Sequence, residues 1–196
     1  MLVSMTDLLS TVLGLAFASG LNAYATVLGL GLLHRYGVLQ LPAGLDVLGA
    51  TPVIIGAAVL YLIEFVADKV PYFDSMWDAV HTFIRPAAGA LISYGLVAGL
   101  DPPWQVLAAL IGGGVAFTSH AAKASTRAAV NASPEPFSNW FLSLAEDVIA
   151  FGLVWLTAKH PLIALSLALG LLALAIFVVW KLAQFFAATF RRLRRA

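Results

Sequence analysis

The chain has 196 residues, of which 61% are apolar and only 11% are charged, and its mean hydropathy is +0.93. Soluble domains carry about 25% charged residues, so this composition excludes an ordinary soluble domain and indicates an integral membrane protein in a lipid bilayer. A net charge of +1 argues against nucleic acid as a partner, and the absence of cysteine excludes disulfides, thiolate metal sites and a cysteine nucleophile.

Six apolar stretches are long enough to span a membrane, because a span needs roughly 17 to 25 apolar residues. We predict an all-α polytopic fold with transmembrane helices near residues 7–33, 52–70, 86–100, 104–126, 136–158 and 161–187. Polar or small residues at Ser19–Asn22 and Thr118–His120 predict that the first and fourth helices are interrupted. Residues 72–85 predict an amphipathic helix at the membrane interface.

Two glutamates lie inside apolar stretches, each twelve residues after a proline that opens its helix. Glu64 follows Pro52, and Glu146 follows Pro134. Twelve helical residues cover roughly 18 Å, which predicts that both carboxyl groups lie near the bilayer midplane. An ionised carboxylate there costs at least about 2.5 kcal/mol, so it must be paired, hydrated in a cavity or protonated.

Similarity between the two halves of the chain predicts an internal duplication. Gly14–Ser19 matches Gly114–Ser119. Aligning Thr51-Pro52 with Ser133-Pro134 brings the two glutamates into register. Three spans per half is an odd number, so the halves would have opposite orientations, as in the 3+3 inverted repeats of many transporters. The predicted organisation is one transmembrane domain over 1–196, with repeats at 1–100 and 101–190 and a basic cytoplasmic tail at 191–196.

The distribution of basic residues predicts the orientation in the membrane. With both termini cytoplasmic, nine Lys and Arg residues fall inside and only Arg35 and Lys159 fall outside. The positive-inside rule therefore predicts a multi-pass protein with both termini in the cytoplasm. We also predict a homodimer, because six short helices make a thin wall around any cavity.

Polar side chains near the two glutamates extend the candidate site. Asp68 follows Glu64 by four residues and shares its helix face, whereas Asp147 follows Glu146 directly and points about 100° away. Other polar residues lie at the first predicted interruption, at the start of the third span and along a basic stripe of the fourth. The predicted substrate-binding or ion-binding residues are Glu64, Asp68, Glu146, Asp147, Asn22, His120, Lys123, Arg127 and Arg85.

A second polar stripe precedes the third span. Asp74, Asp78, His81 and Arg85 recur at spacings of four, three and four, which places them on one side of a helix. The stripe predicts either a face directed at cytoplasmic water or a cation site. In a cation site the two aspartates and the histidine would be ligands for a hard or borderline divalent metal. A bound cation is the cofactor that this pattern suggests.

Several segments are long enough to carry a family resemblance, namely Ser19–Tyr24, Glu64–Pro71, Trp77–Pro86, Thr126–Asn131 and Ser133–Pro136. Over nearly its whole length the chain resembles a family of bacterial integral membrane proteins classed as a domain of unknown function. The resemblance implies a location in the bacterial inner membrane. It implies no substrate and assigns no catalytic or binding residue.

Three classes of function fit these features. A secondary transporter or translocase of a small ion, an anionic solute or a lipid phosphate accounts for the repeat, the interrupted helices and the buried acids together. Its carboxylates would carry a proton or a coupling cation. The first alternative is a non-transporting scaffold or assembly factor whose acids only pair with bases. A metal-dependent lipid hydrolase is less favoured, because no HExxH, GxSxG or other established catalytic motif is present.

Overall fold

The computed structural model of the chain describes residues 5–70, 72–132 and 136–193. All regular secondary structure in these ranges is helical, with seven α-helices and one short 3-10 turn, Asp46–Gly49, between the second and third. The helices are α1 (Met5–Leu21), α2 (Ala23–Arg35), α3 (Thr51–Ala67), α4 (Phe73–Leu96), α5 (Pro102–Val130), α6 (Pro136–Lys159) and α7 (Pro161–Leu193).

Helix α1 lies at the centre of the bundle, where it contacts α4, α5, α6 and α7. Its residues Gly14–Leu21 are all buried. Glycine allows very close approach at the contact of α1 with α5 and at the neighbouring contact of α4 with α5. A Cβ atom added to Gly20 would lie 2.2 Å from the backbone oxygen of Ala116 in α5, and one added to Gly89 in α4 would lie 2.5 Å from the Ala116 side chain. The backbones of α1, α4 and α5 therefore come closer than larger residues would permit.

The outer surface of the bundle is apolar, whereas much of its interior is charged. Phe83, Leu110 and Phe141 are 69% to 81% exposed, while Glu64 and Arg85 have no exposed surface. Three helical stretches are long and apolar enough to cross a membrane, Pro102–Val130, Phe137–Lys159 and Pro161–Ala188, and two shorter helices are also apolar, Met5–Leu21 and Thr51–Ala67. The described structure therefore indicates a membrane-embedded protein whose outer surface contacts lipid.

The predicted interruption of the first span is present at Asn22. Its backbone is extended between α1 and α2, and its side-chain Oδ1 accepts a hydrogen bond from the Ala25 N–H at 2.9 Å. An asparagine in this position caps the new helix. Its Nδ2 donates to Asp147 Oδ1 at 3.1 Å, so the interruption is tied directly to α6.

The predicted interruption of the fourth span is wrong, because α5 is continuous over Pro102–Val130. The hydroxyl groups that suggested a break bond to backbone carbonyls instead. Thr118 Oγ1 donates to Gly114 O at 2.8 Å, and Ser119 Oγ donates to Phe17 O at 3.0 Å. Hydroxyls that bond to carbonyls one turn earlier, or on a neighbouring helix, leave the helical backbone bonds intact.

The predicted interfacial helix at 72–85 and the predicted third span at 86–100 form a single helix, α4. Pro86 lies inside this helix and has no N–H to donate, yet the helix continues through it. Asp74, Asp78 and His81 are 0% to 1% exposed. The polar stripe of α4 therefore faces the bundle interior, and the prediction that it faces water is wrong.

Two other predictions concern residues that lie partly outside the described ranges. Helix α7 includes Arg191 and extends to Leu193, so the first part of the predicted tail at 191–196 is helical and the rest lies outside the described residues. Residues 133–135, which supported the alignment of the halves and one family motif, also lie outside them.

The two glutamates occupy different positions along their helices. Glu64 occupies the last turn of α3, whereas Glu146 lies near the middle of α6. Their depth in the bilayer stays a prediction.

Candidate functional site

A network of charged side chains fills the bundle interior between α3, α4, α5 and α6. The sequence predicted its buried charged members as binding or metal-site residues, and the structure brings them together. The network contains six buried carboxyl groups, those of Glu64, Asp68, Asp74, Asp78, Glu146 and Asp147, and three buried basic groups, those of Arg85, Lys123 and Arg127.

Lys123 of α5 lies at the centre of this network. Its Nζ is 2.6 Å from Asp68 Oδ2, 3.2 Å from Glu146 Oε2 and 3.7 Å from Glu64 Oε1. It also donates to Leu21 O at 3.2 Å. That carbonyl lies in the last turn of α1, where the helical donors end. The two glutamates thus share one lysine of α5, and the same lysine stabilises the interruption after α1.

Arg127 lies one helical turn after Lys123 and joins acids from three helical regions. Its Nη2 is 2.6 Å from Glu146 Oε2 and 3.2 Å from Asp68 Oδ2. Its Nη1 donates to the backbone carbonyl of Asp68 at 2.6 Å and lies 3.5 Å from Asp74 Oδ2. Arg127 therefore holds the end of α3, the start of α4 and the middle of α6 against α5.

Amide side chains continue this part of the network. Asn131 Nδ2 donates to Asp74 Oδ1 at 2.8 Å and to Ser75 Oγ at 2.9 Å. Asn139 Nδ2 in turn donates to Asn131 Oδ1 at 2.8 Å. Neutral amides thus extend the network beyond Arg127, to the first turns of α4 and α6 and the end of α5, where Asn139 Oδ1 has no hydrogen-bond partner among the described residues.

Arg85 of α4 organises the other part of the network. Its Nη2 is 2.8 Å from Glu64 Oε1, and its Nη1 is 3.1 Å from Asp78 Oδ1 and 2.8 Å from His120 Nδ1. A guanidinium only donates, so His120 Nδ1 must accept the hydrogen bond. The His120 proton then resides on Nε2, which lies 3.1 Å from Thr82 Oγ1. In this arrangement His120 is a neutral acceptor.

His81 has a different environment from His120. Its Nδ1 is 2.8 Å from the Trp77 carbonyl oxygen, so Nδ1 donates there. Its Nε2 lies 3.1 Å from the Tyr24 hydroxyl and 3.9 Å from Glu64 Oε2. The imidazole also stacks on the Trp77 ring, with 4.7 Å between centroids. His81 therefore connects α4 with α2 and α3.

The predicted metal ligands lie on one face of α4, as their spacing indicates, but their side chains have different partners. Asp74 binds Arg127, Asp78 binds Arg85, and His81 approaches Glu64. Within the part of the chain that the structure describes, no three Asp, Glu or His side chains form a group that could hold a metal ion. The geometry gives the metal hypothesis no support.

Asp147 is the acid that interacts with the helix interruption. Its Oδ1 accepts the hydrogen bond from Asn22, whereas its Oδ2 has no hydrogen-bond partner among the described residues. No basic side chain of the described ranges forms an ion pair with it. Asp147 therefore has a different environment from its neighbour Glu146, which two basic groups hold.

The network carries more acids than bases. Several buried carboxylate oxygens also have no hydrogen-bond partner within the described residues, namely Glu64 Oε2, Asp68 Oδ1, Asp78 Oδ1 and Oδ2, and Asp147 Oδ2. Lys69, in the connection between α3 and α4, lies only at the edge, where its Nζ donates to Ser143 Oγ at 3.2 Å. Partial burial lowers the pKa of its ammonium group. Each of these four carboxyl groups has an ion pair or a hydrogen bond at one oxygen, but the six buried carboxyl groups outnumber the three buried basic groups. An uncompensated buried charge is costly, so the closed arrangement favours added positive charge.

Four polar residues of the network were missed by the sequence interpretation, namely Tyr24, Thr82, Asn131 and Asn139. One signal could have found Asn131, because it continues the stripe of His120, Lys123 and Arg127 by one further turn. Thr82 and Tyr24 carry no comparable pattern. Their positions depend on how α2, α4 and α5 are rotated against one another.

A groove of about 220 Å³ leads from the outer surface to the network between α1, α5, α6 and α7. Lys123 and Glu146 are the charged residues in its lining, which is otherwise mostly apolar. The Glu146 side chain is 12% exposed, whereas those of Glu64 and Asp68 are 0% and 3% exposed. Glu146 is therefore the glutamate of the network that is accessible from outside.

Fold and site together define an all-helical, membrane-embedded bundle built around a buried ion network. The chain belongs to the family described as a domain of unknown function, DUF4126, whose family model matches residues 9–181. No curated protein and no solved structure matches the chain. Because the family description names no activity, the function must be argued from the network.

Proposed function

We propose that the chain is a secondary transporter or translocase whose buried network binds a coupling proton or cation. The observation that supports this most directly is the excess of six buried carboxyl groups over three buried basic groups. An uncompensated charge in a protein interior costs several kcal/mol. The closed network is therefore favourable when protons or cations supply the missing positive charge. A buried site that gains and loses positive charge is what coupled transport requires.

A 3+3 inverted repeat is part of the proposal. Counting α1 and α2 as one interrupted span leaves three spans in each half. The matching segments Gly14–Ser19 and Gly114–Ser119 lie on α1 and α5, and these helices cross where Ser119 Oγ donates to Phe17 O at 3.0 Å. Helices related by a two-fold axis meet at equivalent residues, so this crossing supports the repeat. Substrate and ion sites of such proteins lie at the interface of the repeats.

The charge balance narrows the transported species. Among the predicted substrates, a small cation or the proton itself fits an acid-rich site best. An anionic solute or a lipid phosphate needs a free basic group, and Lys123 and Arg127 are both engaged by acids. Protonation of Glu146 or Asp68 would release such a group. Uptake of a proton would then precede binding of an anion, and the groove at Glu146 would admit that anion from the lipid side.

The proposal places the protein in the bacterial inner membrane with both termini in the cytoplasm. Six spans bring the two termini to the same side, and the positive-inside rule assigns that side. The homodimer stays a prediction.

Flux measurements in sealed proteoliposomes test the function. The wild type is compared with Glu64→Gln and Glu146→Gln under an imposed pH gradient, with internal pH and uptake of labelled cations, anions and lipid phosphates as readouts. Asp101→Asn is the matched control, because Asp101 is exposed before α5 and its side chain makes no capping bond. We expect flux in the wild type and in the control and its loss in both Gln variants. Equal flux in all four proteins and in empty liposomes would exclude a carrier role.

A scaffold or assembly factor is the second candidate. It is favoured by the closed state of the ion pairs, since Arg85, Lys123 and Arg127 have no exposed side-chain surface. In that case the network would fix helix positions and nothing would move through it. The Gln variants would then lower the free energy of unfolding, and the wild type would show no flux of any tested species.

A further inference from the structure

The two buried histidines of the network differ in their capacity to bind a proton. Both nitrogens of His120 are in use, because Arg85 donates to Nδ1 and Nε2 lies against Thr82. A second proton on His120 would point at a guanidinium only 2.8 Å away. His81 instead uses Nδ1 as a donor to Trp77 O and presents the lone pair of Nε2 to Tyr24 and Glu64. Only the environment of His81 can accept a proton without a clash of donors.

Glu64 supplies the acceptor that a protonated His81 needs. Its Oε1 is engaged by Arg85 at 2.8 Å and lies 3.7 Å from Lys123. Its Oε2 is fully buried, has no hydrogen-bond partner among the described residues and lies 3.9 Å from His81 Nε2. A proton on Nε2 would convert this gap into a charge-assisted hydrogen bond after a movement of about 1 Å.

The Trp77 ring favours the same protonated state. It stacks on His81 with 4.7 Å between centroids and 30° between ring planes. The negative face of an indole attracts a cation placed over it, and this attraction is stronger where water is excluded. Trp77 therefore stabilises an imidazolium more than a neutral imidazole.

We propose that His81 and Glu64 together form the proton-binding site of the network, with the proton on His81 Nε2 and directed at Glu64 Oε2. This inference rests on the proposed transport function and names its coupling ion. The step is a simple protonation: the proton comes from water, and no bond within the protein is broken. The groups that face His81 are Tyr24 from α2, Glu64 from α3, Arg85 from α4, and Lys123 and His120 from α5.

The two nearby basic groups do not prevent this uptake. Arg85 and Lys123 repel a proton on His81, but each is already paired with an acid other than Glu64. Arg85 lies 3.1 Å from Asp78, and Lys123 lies 2.6 Å from Asp68. Their charges are therefore largely offset at His81, and the network as a whole still has more acids than bases.

Protonation at this site would act on the helix interruption. In the neutral state the Tyr24 hydroxyl donates to His81 Nε2. Once Nε2 carries a proton, it has no lone pair for Tyr24 and turns towards Glu64. Tyr24 lies in the first turn of α2, directly after the interruption at Asn22. Release of Tyr24 thus couples proton uptake to the position of α2.

Nitrogen NMR of ¹⁵N-histidine-labelled protein in lipid nanodiscs tests the site, with His81→Gln and His120→Gln used to assign the signals. On acidification to about pH 5, below the ordinary range of histidine, we expect an imidazolium signal from His81 and a neutral ring at His120. A neutral His81 at that pH, or protonation of His120 instead, would overturn the proposal.

Two variants move the titration in opposite directions. Glu64→Gln removes the acceptor for the imidazolium, so the His81 signal should be lost at about pH 5. Tyr24→Phe removes the hydroxyl that donates to neutral His81. The imidazolium signal of His81 should therefore appear at a higher pH than in the wild type. Asp101→Asn should match the wild type. If Glu64→Gln does not fold, the titration of Tyr24→Phe alone tests the site. A His81 titration that is unchanged from the wild type in either folded variant contradicts the assignment.

The NMR readout needs no substrate, so its outcome separates the two proposals. Flux without a His81 imidazolium would refute this site alone. An imidazolium without flux would refute transport and leave the proton site standing.

Discussion

Arg85 and Arg127 both bind carboxylates in the interior of the bundle, but their other neighbours differ. Around Arg85 lie His120 and, across Glu64, His81. Around Arg127 the network continues through the amides of Asn131 and Asn139, which do not titrate. On the proposal above, the Arg85 region changes its charge when His81 binds a proton, whereas the Arg127 region holds three helices in fixed positions.

The two regions are joined through Lys123. Lys123 contacts Glu64 on the Arg85 side and both Asp68 and Glu146 on the Arg127 side. A change of charge at Glu64 would therefore reach Glu146, and through it the groove that opens towards lipid. This contrast between a titrating region and a fixed region predicts different consequences for substitutions in each.

The largest effect is expected for Arg127→Met. It removes the guanidinium that Glu146, Asp68 and Asp74 share, leaving Lys123 beside the first two, and breaking a buried ion pair in this way costs about 3–5 kcal/mol. Chemical unfolding in detergent micelles measures the loss. Arg35→Met is the control, because Arg35 is exposed and its substitution should change the free energy of unfolding by less than about 0.5 kcal/mol. Equal stability of the two variants would contradict a clamping role for Arg127.

Removing an amide from the fixed region should have the next largest effect. Asn131→Ala removes a hydrogen-bond partner from Asp74, from half-buried Ser75 and from Asn139, but Asp74 keeps Arg127. We therefore expect a loss of about 1–3 kcal/mol in all, the usual cost of leaving a buried polar group unsatisfied. The loss should be nearly independent of pH between about 5 and 8, because no group whose ordinary pKa lies there is involved. Unfolding at several pH values measures it, with the exposed Gln40→Ala as control. A strong pH dependence would show that the Arg127 region titrates.

Coupling between the two glutamates tests the connection through Lys123. A double-mutant cycle of Glu64→Gln and Glu146→Gln should give a coupling energy of about 1 kcal/mol, as expected for side chains in one network. In a Lys123→Met background the coupling should fall below about 0.5 kcal/mol, the value for independent sites. Coupling that survives the loss of Lys123 would mean that the two regions communicate by another route.

Part of the network could be predicted from the sequence, because helical spacing decides which side chains share a face of a helix. The spacing of Asp74, Asp78, His81 and Arg85 predicted one stripe on α4, and the structure confirms that stripe. Its burial was not predicted. A polar face of a helix can meet water or other polar faces, and only the surrounding helices decide between them.

The pairings within the network could not be read from spacing at all. Lys123 and Asp68 are 55 residues apart, and their contact depends on how α3 and α5 are rotated and offset. The wrong break in α5 has a local cause. A serine such as Ser119 often lies at a helix end, but here its hydroxyl donates a hydrogen bond to the Phe17 carbonyl oxygen on α1. Tertiary contacts thus override a local preference for interruption.

The smallest effect should come from Asp78→Asn in the titrating region, although Asp78 is as buried as the residues of the fixed region. Its Oδ1 lies 3.1 Å from Arg85 Nη1, but neither carboxylate oxygen has a hydrogen-bond partner among the described residues, and Arg85 keeps Glu64 as a second acid. Replacing one of the excess acids by a neutral group of the same shape should leave the free energy of unfolding within about 0.5 kcal/mol of the wild type or raise it, since burial of the charge itself is costly. Asp74→Asn is the matched comparison in the fixed region and should lower stability by about 1–3 kcal/mol, because Asp74 accepts from both Asn131 and Arg127. A loss at Asp78 as large as that at Asp74 would remove the distinction between the two regions, because an acid of each region would then be needed in its charged form.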